Sequence, residues 1–214
     1  MLFGNKRKYR RKIFVIGRGK TGTISMGQVL SDMGFRVGNQ AKAERLMEDW
    51  AQRKFHNIVE YCKSADAFQD APFSNDYTYQ VMDYAFPESK FVLTIRNSAE
   101  EWYESLTRFH TKIIGKGRLP TADDLKNFDY REKGWLWRFH KTVYGIDEYS
   151  LYDKGLYIQH YEMHNNRVQD YFKYRQGDLL VLNLSDSNSM TALCNFLDKP
   201  VVKQTMPHLN RSII

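Results

Sequence analysis

The sequence contains few cysteines and no long apolar run. Its two cysteines, Cys62 and Cys194, cannot build a disulfide framework or the paired spacing of a cysteine zinc site, so we expect a reducing, cytoplasmic setting. The apolar run at residues 13–16 is far shorter than the ~20 residues of a membrane span. We therefore expect no membrane span and no export signal.

The sequence also has little excess charge once its first residues are set aside. It carries 32 basic and 25 acidic residues, a formal net charge of +7. Six of the basic residues lie at positions 6–12, where no acidic residue occurs, which leaves 26 basic and 25 acidic residues elsewhere. We interpret residues 1–12 as a solvated basic lead-in and expect no nucleic-acid partner.

The chain contains enough apolar residues to form a hydrophobic core, since 42% of its residues are hydrophobic and 14% are aromatic. Short apolar runs predict buried strands at residues 13–16, 35–38, 67–69, 91–95 and 179–182, with helices between them. This alternation predicts an α/β fold of three layers, with a central parallel sheet of about five strands flanked by helices. We predict a single domain over residues 13–214, with an insertion or cap at about 115–146 that resists one assignment.

Residues 17–25, between the first predicted strand and helix, read GRGKTGTIS and are called the phosphate loop below. A glycine-containing turn here aims backbone N–H groups and a helix N-terminus at a phosphate. Gly17 and Gly22 keep the spacing of the nucleotide-hydrolase motif. Thr23, however, takes the lysine position and Lys20 lies inside the loop, which argues against an ordinary ATPase or GTPase. A turn that merely joins strand to helix is the alternative.

This loop resembles the 5′-phosphosulfate loop of sulfotransferases that use 3′-phosphoadenosine 5′-phosphosulfate (PAPS), which share a P-loop-like fold. The resemblance implies that Lys20 contacts the bridging oxygen and the 5′-phosphate, while Gly22 and Thr23 cradle the phosphate. Ile24 departs from the family's second hydroxyl residue, and Ser25 can substitute for it. The loop residues assigned to the donor site are Arg18, Gly19, Lys20, Thr21, Gly22, Thr23, Ile24 and Ser25.

A second part of the resemblance follows the predicted strand at 91–95. Arg96 comes directly after it, and Ser105 lies on a helix that the pair Ser98 and Glu101 opens as a capping box. A guanidinium offers a forked set of donors to phosphate oxygens. The resemblance implies that Arg96 and Ser105 hold the 3′-phosphate, although their spacing is one residue longer than in the family. Without the phosphate loop, the alternative for Arg96 is a surface salt bridge, and the alternative for Ser105 is a helix serine with no binding role.

For the catalytic base the family places a histidine or carboxylate near the end of the third strand or just after the second. Asp70 matches the first location and is our candidate, with Glu44 from the second as the alternative. A turn or helix cap would also explain Asp70. His160 and His164 stand at i and i+4, but they lack a third ligand, and we expect no metal.

Ten aromatic residues between positions 128 and 161 predict either an acceptor pocket or the core of the cap. The family's glycine-rich C-terminal motif is missing, and the tail around His208 and Asn210 is the candidate to replace it. We interpret the chain as a PAPS-dependent sulfotransferase acting on a hydroxyl or amine of a small-molecule or saccharide acceptor. Lys20 and Asp70 would be catalytic. A nucleotide-dependent kinase and a non-catalytic nucleotide-binding protein are the alternatives.

Overall fold

The computed structural model describes residues 11–201 and 205–207, so residues 1–10 of the basic lead-in, His208 and Asn210 lie outside it. The described sheet has four strands, all parallel: β1 (Ile13–Val15), β2 (Ala67–Gln69), β3 (Lys90–Ile95) and β4 (Leu179–Asn183). Their order is β2-β1-β3-β4, and Phe14 of β1 pairs with Phe68 on one side and Phe91 on the other. The predicted α/β fold with a parallel sheet is confirmed.

Helices occupy most of the chain between the strands. In the described residues they are α1 (Thr23–Asp32), α2 (Gln40–Glu44), α3 (Met47–Ala51), α4 (Phe55–Tyr61), α5 (Thr78–Ala85), α6 (Ala99–Ile113), α7 (Ala122–Asn127), α8 (Trp135–Tyr144), α9 (Lys154–Phe172) and α10 (Ser189–Phe196). A 3₁₀ turn, Cys62–Ser64, follows α4. Within the part of the chain that the structure describes, no helix is both long and apolar enough to cross a membrane.

The strand predicted at residues 35–38 is absent from the described sheet, which has four strands instead of about five. Only Val37 forms a bridge, to Ala67 of β2. The segment is too short to continue, because Gly34 holds a positive φ of 86° before it and Asn39 caps α2 directly after it. The Asn39 side chain accepts a hydrogen bond of 3.0 Å from the Lys42 amide, which turns the chain into helix.

The sheet is buried on both faces, as its continuous apolar strands predict. On one face Phe14 stacks against Phe68 and Phe91, with ring centroids 5.7 and 5.4 Å apart. On the other face Val15 joins a separate core cluster that includes Leu30 of α1. Because apolar side chains alternate between the two clusters, helices cover both sides and the molecule has three layers.

Residues 115–146, the predicted cap, contain α7 and α8. Thr121 and Asp124 form a reciprocal capping box at the start of α7, and α8 ends at Gly145 with φ 65°. The long helix predicted over about 147–174 is shorter in the structure, since Asp153 caps α9 through a 2.8 Å bond from the Leu156 amide. The division into one domain and a cap stays a prediction.

Candidate active site

The phosphate loop leaves β1 in a conformation that requires two of its glycines. An ideal Cβ on Gly17 would lie 2.1 Å from Thr94 Oγ1, because the loop crosses β3 in close contact. Gly22 has φ 98°, and a Cβ there would lie 2.5 Å from Leu184 Cδ2. Helix α1 begins directly after Gly22 without a side-chain cap. Its first backbone N–H groups are therefore available to an anion.

Lys20 sits in the loop with an unusual backbone and a half-buried ammonium. Its φ is 73°, in the left-handed region, and its Nζ lies 3.7 Å from the Phe109 ring centroid. Burial, followed by the charge of Arg96, lowers the pKa of Lys20 to about 8, while Asp70 opposes the shift. Among the described residues Lys20 forms no ion pair. Backbone strain of this kind concentrates at functional sites.

Asp70 follows β2 directly and also has a positive φ, 57°. Its Oδ2 accepts a 2.8 Å hydrogen bond from Thr23 Oγ1, and its Oδ1 accepts one of 2.9 Å from the Ala71 amide. Burial raises the pKa of Asp70, while these two hydrogen bonds and the charge of Lys20 act in the opposite direction. Asp70 is thus a half-buried carboxylate that is held by neutral donors beside the phosphate loop.

Arg96 links the end of β3 to the phosphate loop. Its Nε donates to the Lys20 carbonyl over 2.9 Å, and its Nη1 lies 3.3 Å from Glu101 Oε1. The Arg96 side chain is 28% exposed and borders a hollow, so a ligand can reach it. Ser105 is partly buried on α6, but it does not border the same hollow, and its hydroxyl bonds to none of the described residues.

Glu44 is buried at the end of α2, where residues of the predicted cap hold it. Arg131 Nε donates to Glu44 Oε2, and the Tyr130 hydroxyl donates to Oε1 over 3.3 Å. The indole N–H of Trp135 donates to the Glu44 carbonyl over 3.2 Å. Burial raises the pKa of Glu44, and Arg131 works against this shift. The carboxylate is therefore already paired with a cation.

These groups meet at one hollow of about 180 Å³ at the carboxyl edge of the sheet. It brings together Lys20, Asp70 and Arg96, and Glu44 also borders it. The other residues lining the hollow are Gly19, Gly22, Thr23, Ile24, Ala71, Leu106, Phe109, His110, Ile113, Tyr130, Trp135, Leu136, Phe139, His140 and Tyr144. Such a position beyond the strand ends is where open α/β sheets bind ligands.

Three loop residues predicted to bind the donor do not line this hollow. The Arg18 guanidinium is buried in the core, where it donates to the Ser74 carbonyl over 3.0 Å and to Asp76 over 2.7 Å. The Thr21 hydroxyl lies 2.6 Å from that of Thr94. Ser25 is only 2% exposed. The side chains of Arg18 and Thr21 are engaged in these contacts and that of Ser25 is buried, so any donor contact of the three residues would have to come from the backbone.

The sequence model of the sulfotransferase domain family matches residues 12–213. The chain belongs to the sulfotransferase family. It is also 22% identical over 222 residues to a protein of Aspergillus versicolor described as "Ava biosynthesis cluster protein M", a match that covers 92% of this chain and 80% of that protein. The protein is therefore a PAPS-dependent transferase, and the kinase and the non-catalytic alternatives are set aside.

The residues around the hollow suit the sulfotransferase's doubly phosphorylated donor. The ammonium of Lys20, the guanidinium of Arg96 and the uncapped amides of α1 all donate hydrogen bonds and favour negative charge. Lys20 has no carboxylate partner among the described residues, so its charge is left for a ligand. The positive φ of Gly22 lets the backbone approach such a ligand without a side chain in between.

Sequence reasoning missed His110 of α6 and three residues of the predicted cap. His110, His140, Tyr130 and Arg131 all lie near the hollow, but each depends on packing between distant segments. For His110 a signal was present, because it shares the buried face of α6 with Ala99, Trp102 and Leu106, and a histidine on such a face needs a partner. The other three carry no local signal.

The remaining candidates fall into structural roles. His164 is buried, with Nε2 2.8 Å from the Ile16 carbonyl and Nδ1 3.3 Å from Asp76. Of residues 11–201 and 205–207, no group of three or more His, Cys, Asp or Glu is placed to hold a metal ion. The aromatic segment fits both of its predicted roles, since Trp135 and Tyr144 belong to the buried core and also line the hollow.

Proposed function

We propose that this sulfotransferase moves the sulfuryl group of PAPS onto a hydroxyl group of an acceptor held between the phosphate loop and residues 115–146. Lys20 and Arg96 hold the donor, and Asp70 is the base. The observation that carries the proposal is that these three side chains border one hollow, although they come from segments far apart in the chain.

Lys20 and the amides of α1 serve the charge that develops on the departing phosphate. Preorganised donors in a partly buried site stabilise such charge more strongly than water does. Arg96 binds the second phosphate of the donor, with Ser105 as a further contact. Arg96 Nε donates to the Lys20 carbonyl, so a direct hydrogen bond joins the residues that bind the two ends of the donor.

Asp70 takes the proton of the acceptor. The acceptor oxygen forms a bond to sulfur, the bond from sulfur to the phosphate oxygen of the donor breaks, and the hydroxyl proton passes to the Asp70 carboxylate. A raised pKa makes Asp70 a stronger base than an exposed aspartate, provided that it stays ionised at the working pH.

The proposal includes no metal, no nucleic-acid partner and a cytoplasmic location. Cationic side chains and helix amides already supply the positive charge that the donor needs. The two cysteines are free and buried, as expected of a protein in a reducing compartment. Activity that survives treatment with a chelator would support the proposal that no metal is needed, and loss of activity would contradict it.

Donor binding tests the role of Arg96 directly. Titration with 3′-phosphoadenosine 5′-phosphate (PAP), the donor product, should raise the melting temperature, whereas AMP should not. Arg96→Ala should weaken PAP binding about tenfold or more, since a hydrogen bond to a charged group is lost. Arg108→Ala, on the exposed face of α6, is the matched control. Unchanged PAP affinity in Arg96→Ala would remove Arg96 from the donor site.

Asp70→Asn tests the base. We expect kcat to fall about 10²-fold or more while PAP affinity stays close to that of the wild type, because a general base acts only on the proton that is transferred during the reaction. Asp186→Asn, at an exposed position, is the control. An Asp70→Asn enzyme with wild-type kcat would transfer the role of base to another group.

A further inference from the structure

The part of the hollow that α6 and α8 build is apolar and aromatic. Trp135 and Phe139 stack with ring centroids 5.2 Å apart and an interplanar angle of 17°. The other apolar residues of this wall are Leu106, Phe109, Ile113, Leu136 and Tyr144. Flat rings lose little conformational freedom on binding and pack well against a flat ligand.

Two histidines interrupt this wall. His110 is 5% and His140 is 1% exposed, and their ring centroids lie 5.1 Å apart. His110 Nδ1 lies 2.8 Å from the Tyr152 hydroxyl, and His140 Nδ1 lies 2.6 Å from the Tyr157 hydroxyl. Both tyrosines are buried as well, so each pair is a fixed hydrogen-bonded unit.

The hydrogen bonds determine which nitrogen of each ring carries the proton. A buried tyrosine O–H needs an acceptor, and within the described residues Nδ1 of His110 or His140 is the acceptor each hydroxyl has. Each tyrosine therefore donates to Nδ1, and the ring proton lies on Nε2. Neither Nε2 bonds to any residue of the described chain. Since both histidines line the hollow, their N–H groups are left for a ligand.

His110 and His140 carry no charge at neutral pH. Burial, with the charge of Lys20 as the second cause, lowers the pKa of His110 to about 3. Burial and the neighbouring His110 lower the pKa of His140. A carboxylate or phosphate on the acceptor would lose its hydration here without gaining a counter-ion, because Lys20 is engaged by the donor.

We propose that the acceptor is an uncharged phenol, whose ring lies against Trp135 and Phe139 and whose hydroxyl oxygen accepts hydrogen bonds from His110 and His140. This inference rests on the proposed function. The phenol oxygen bonds to sulfur as the sulfur to phosphate-oxygen bond of PAPS breaks, and its proton goes to Asp70. A saccharide fits this wall poorly, since many of its hydroxyl groups would face the apolar side chains there and find only two N–H donors.

A matched pair of acceptors tests the class. Para-cresol and para-hydroxybenzoate have similar shapes but differ in charge, and glucose represents saccharides. With the full chain and PAPS carrying a radiolabelled sulfuryl group, we expect kcat/KM for para-cresol to exceed that for the other two at least tenfold. If PAP fails to bind the protein, the proposed function fails. If PAP binds but para-hydroxybenzoate or glucose is the better acceptor, the phenol inference fails and the function stands.

Substitution of the histidines tests the wall itself. His140→Phe should raise KM for para-cresol about five- to tenfold, with PAP affinity unchanged, while His140→Gln, which restores an N–H donor, should recover part of the loss. His56→Ala, at an exposed position on α4, is the control. If His140→Phe does not fold, Trp135→Leu is tested in its place and should also raise KM for para-cresol. An unchanged KM in the folded variant would overturn the inference.

Discussion

The pH dependence of donor binding tests the electrostatics of the phosphate loop. Burial, followed by the charge of Arg96, lowers the pKa of Lys20 to about 8. A bound bisphosphate favours the charged ammonium, so above pH 8 the free enzyme must take up a proton when PAP binds. The affinity for PAP should therefore stay nearly constant below pH 8 and fall about tenfold for each pH unit above it. The binding free energy should then be about 1.4 kcal/mol less favourable at pH 9 than at pH 7.

Isothermal titration calorimetry in buffers of different ionisation enthalpy measures both the affinity and the proton uptake. Lys20→Arg is the control, because a guanidinium stays protonated across this range and should give a nearly flat profile. Tenfold is an upper value, since Lys20 keeps some contact with solvent that screens its charge. Equal PAP affinity at pH 7 and pH 9 in the wild type, or the same fall in Lys20→Arg, would refute the reasoning.

Two further substitutions test the packing around the site. Gly17→Ala should lower the free energy of unfolding by about 1–3 kcal/mol or more, because its Cβ would meet Thr94 at 2.1 Å. Gly177→Ala is the control, since the space around Gly177 is open and its free energy of unfolding should change little. Urea denaturation measures both variants. Arg131→Ala should destabilise the protein by about 2–4 kcal/mol at pH 7 by leaving the Glu44 carboxylate buried without its cation. Because burial raises the pKa of Glu44, this loss should shrink as the pH falls and Glu44 gains a proton, and adding Glu44→Gln should recover it; a loss independent of pH would contradict this account.

The parts of the fold that could be predicted depend on local signals. The run at residues 13–16 followed by Gly17 marks a buried strand and its exit, and Ser98 caps α6 as predicted, accepting from the Glu101 amide over 3.1 Å. Arg96 could be placed at the carboxyl edge of the sheet because it directly follows a strand. The reason that Gly17 must be glycine lies in its contact with Thr94, which no local pattern shows.

What could not be predicted depends on packing between distant segments. The partner of Glu44 is Arg131, from the stretch that resisted assignment, and the partner of His140 is Tyr157 on a different helix. Residues 35–38 have the composition of a strand, yet the caps on either side reduce them to one bridge. The sequence also predicts the side chain of Arg18 to be a phosphate ligand, but this side chain is buried and pairs with Asp76.

Glu44 and Asp70, the two carboxylates at the hollow, differ in the contacts that protonation would break. A proton arriving on Glu44 would break its pair with Arg131, so Glu44 is a poor base despite its raised pKa. Asp70 is held by a hydroxyl and an amide, which cost less to release, and it forms no ion pair among the described residues. Asp70 and Lys20 each stabilise the charged form of the other. In the proposed mechanism, a proton on Asp70 removes this nearby negative charge, and the charge of the ammonium then acts fully on the departing phosphate.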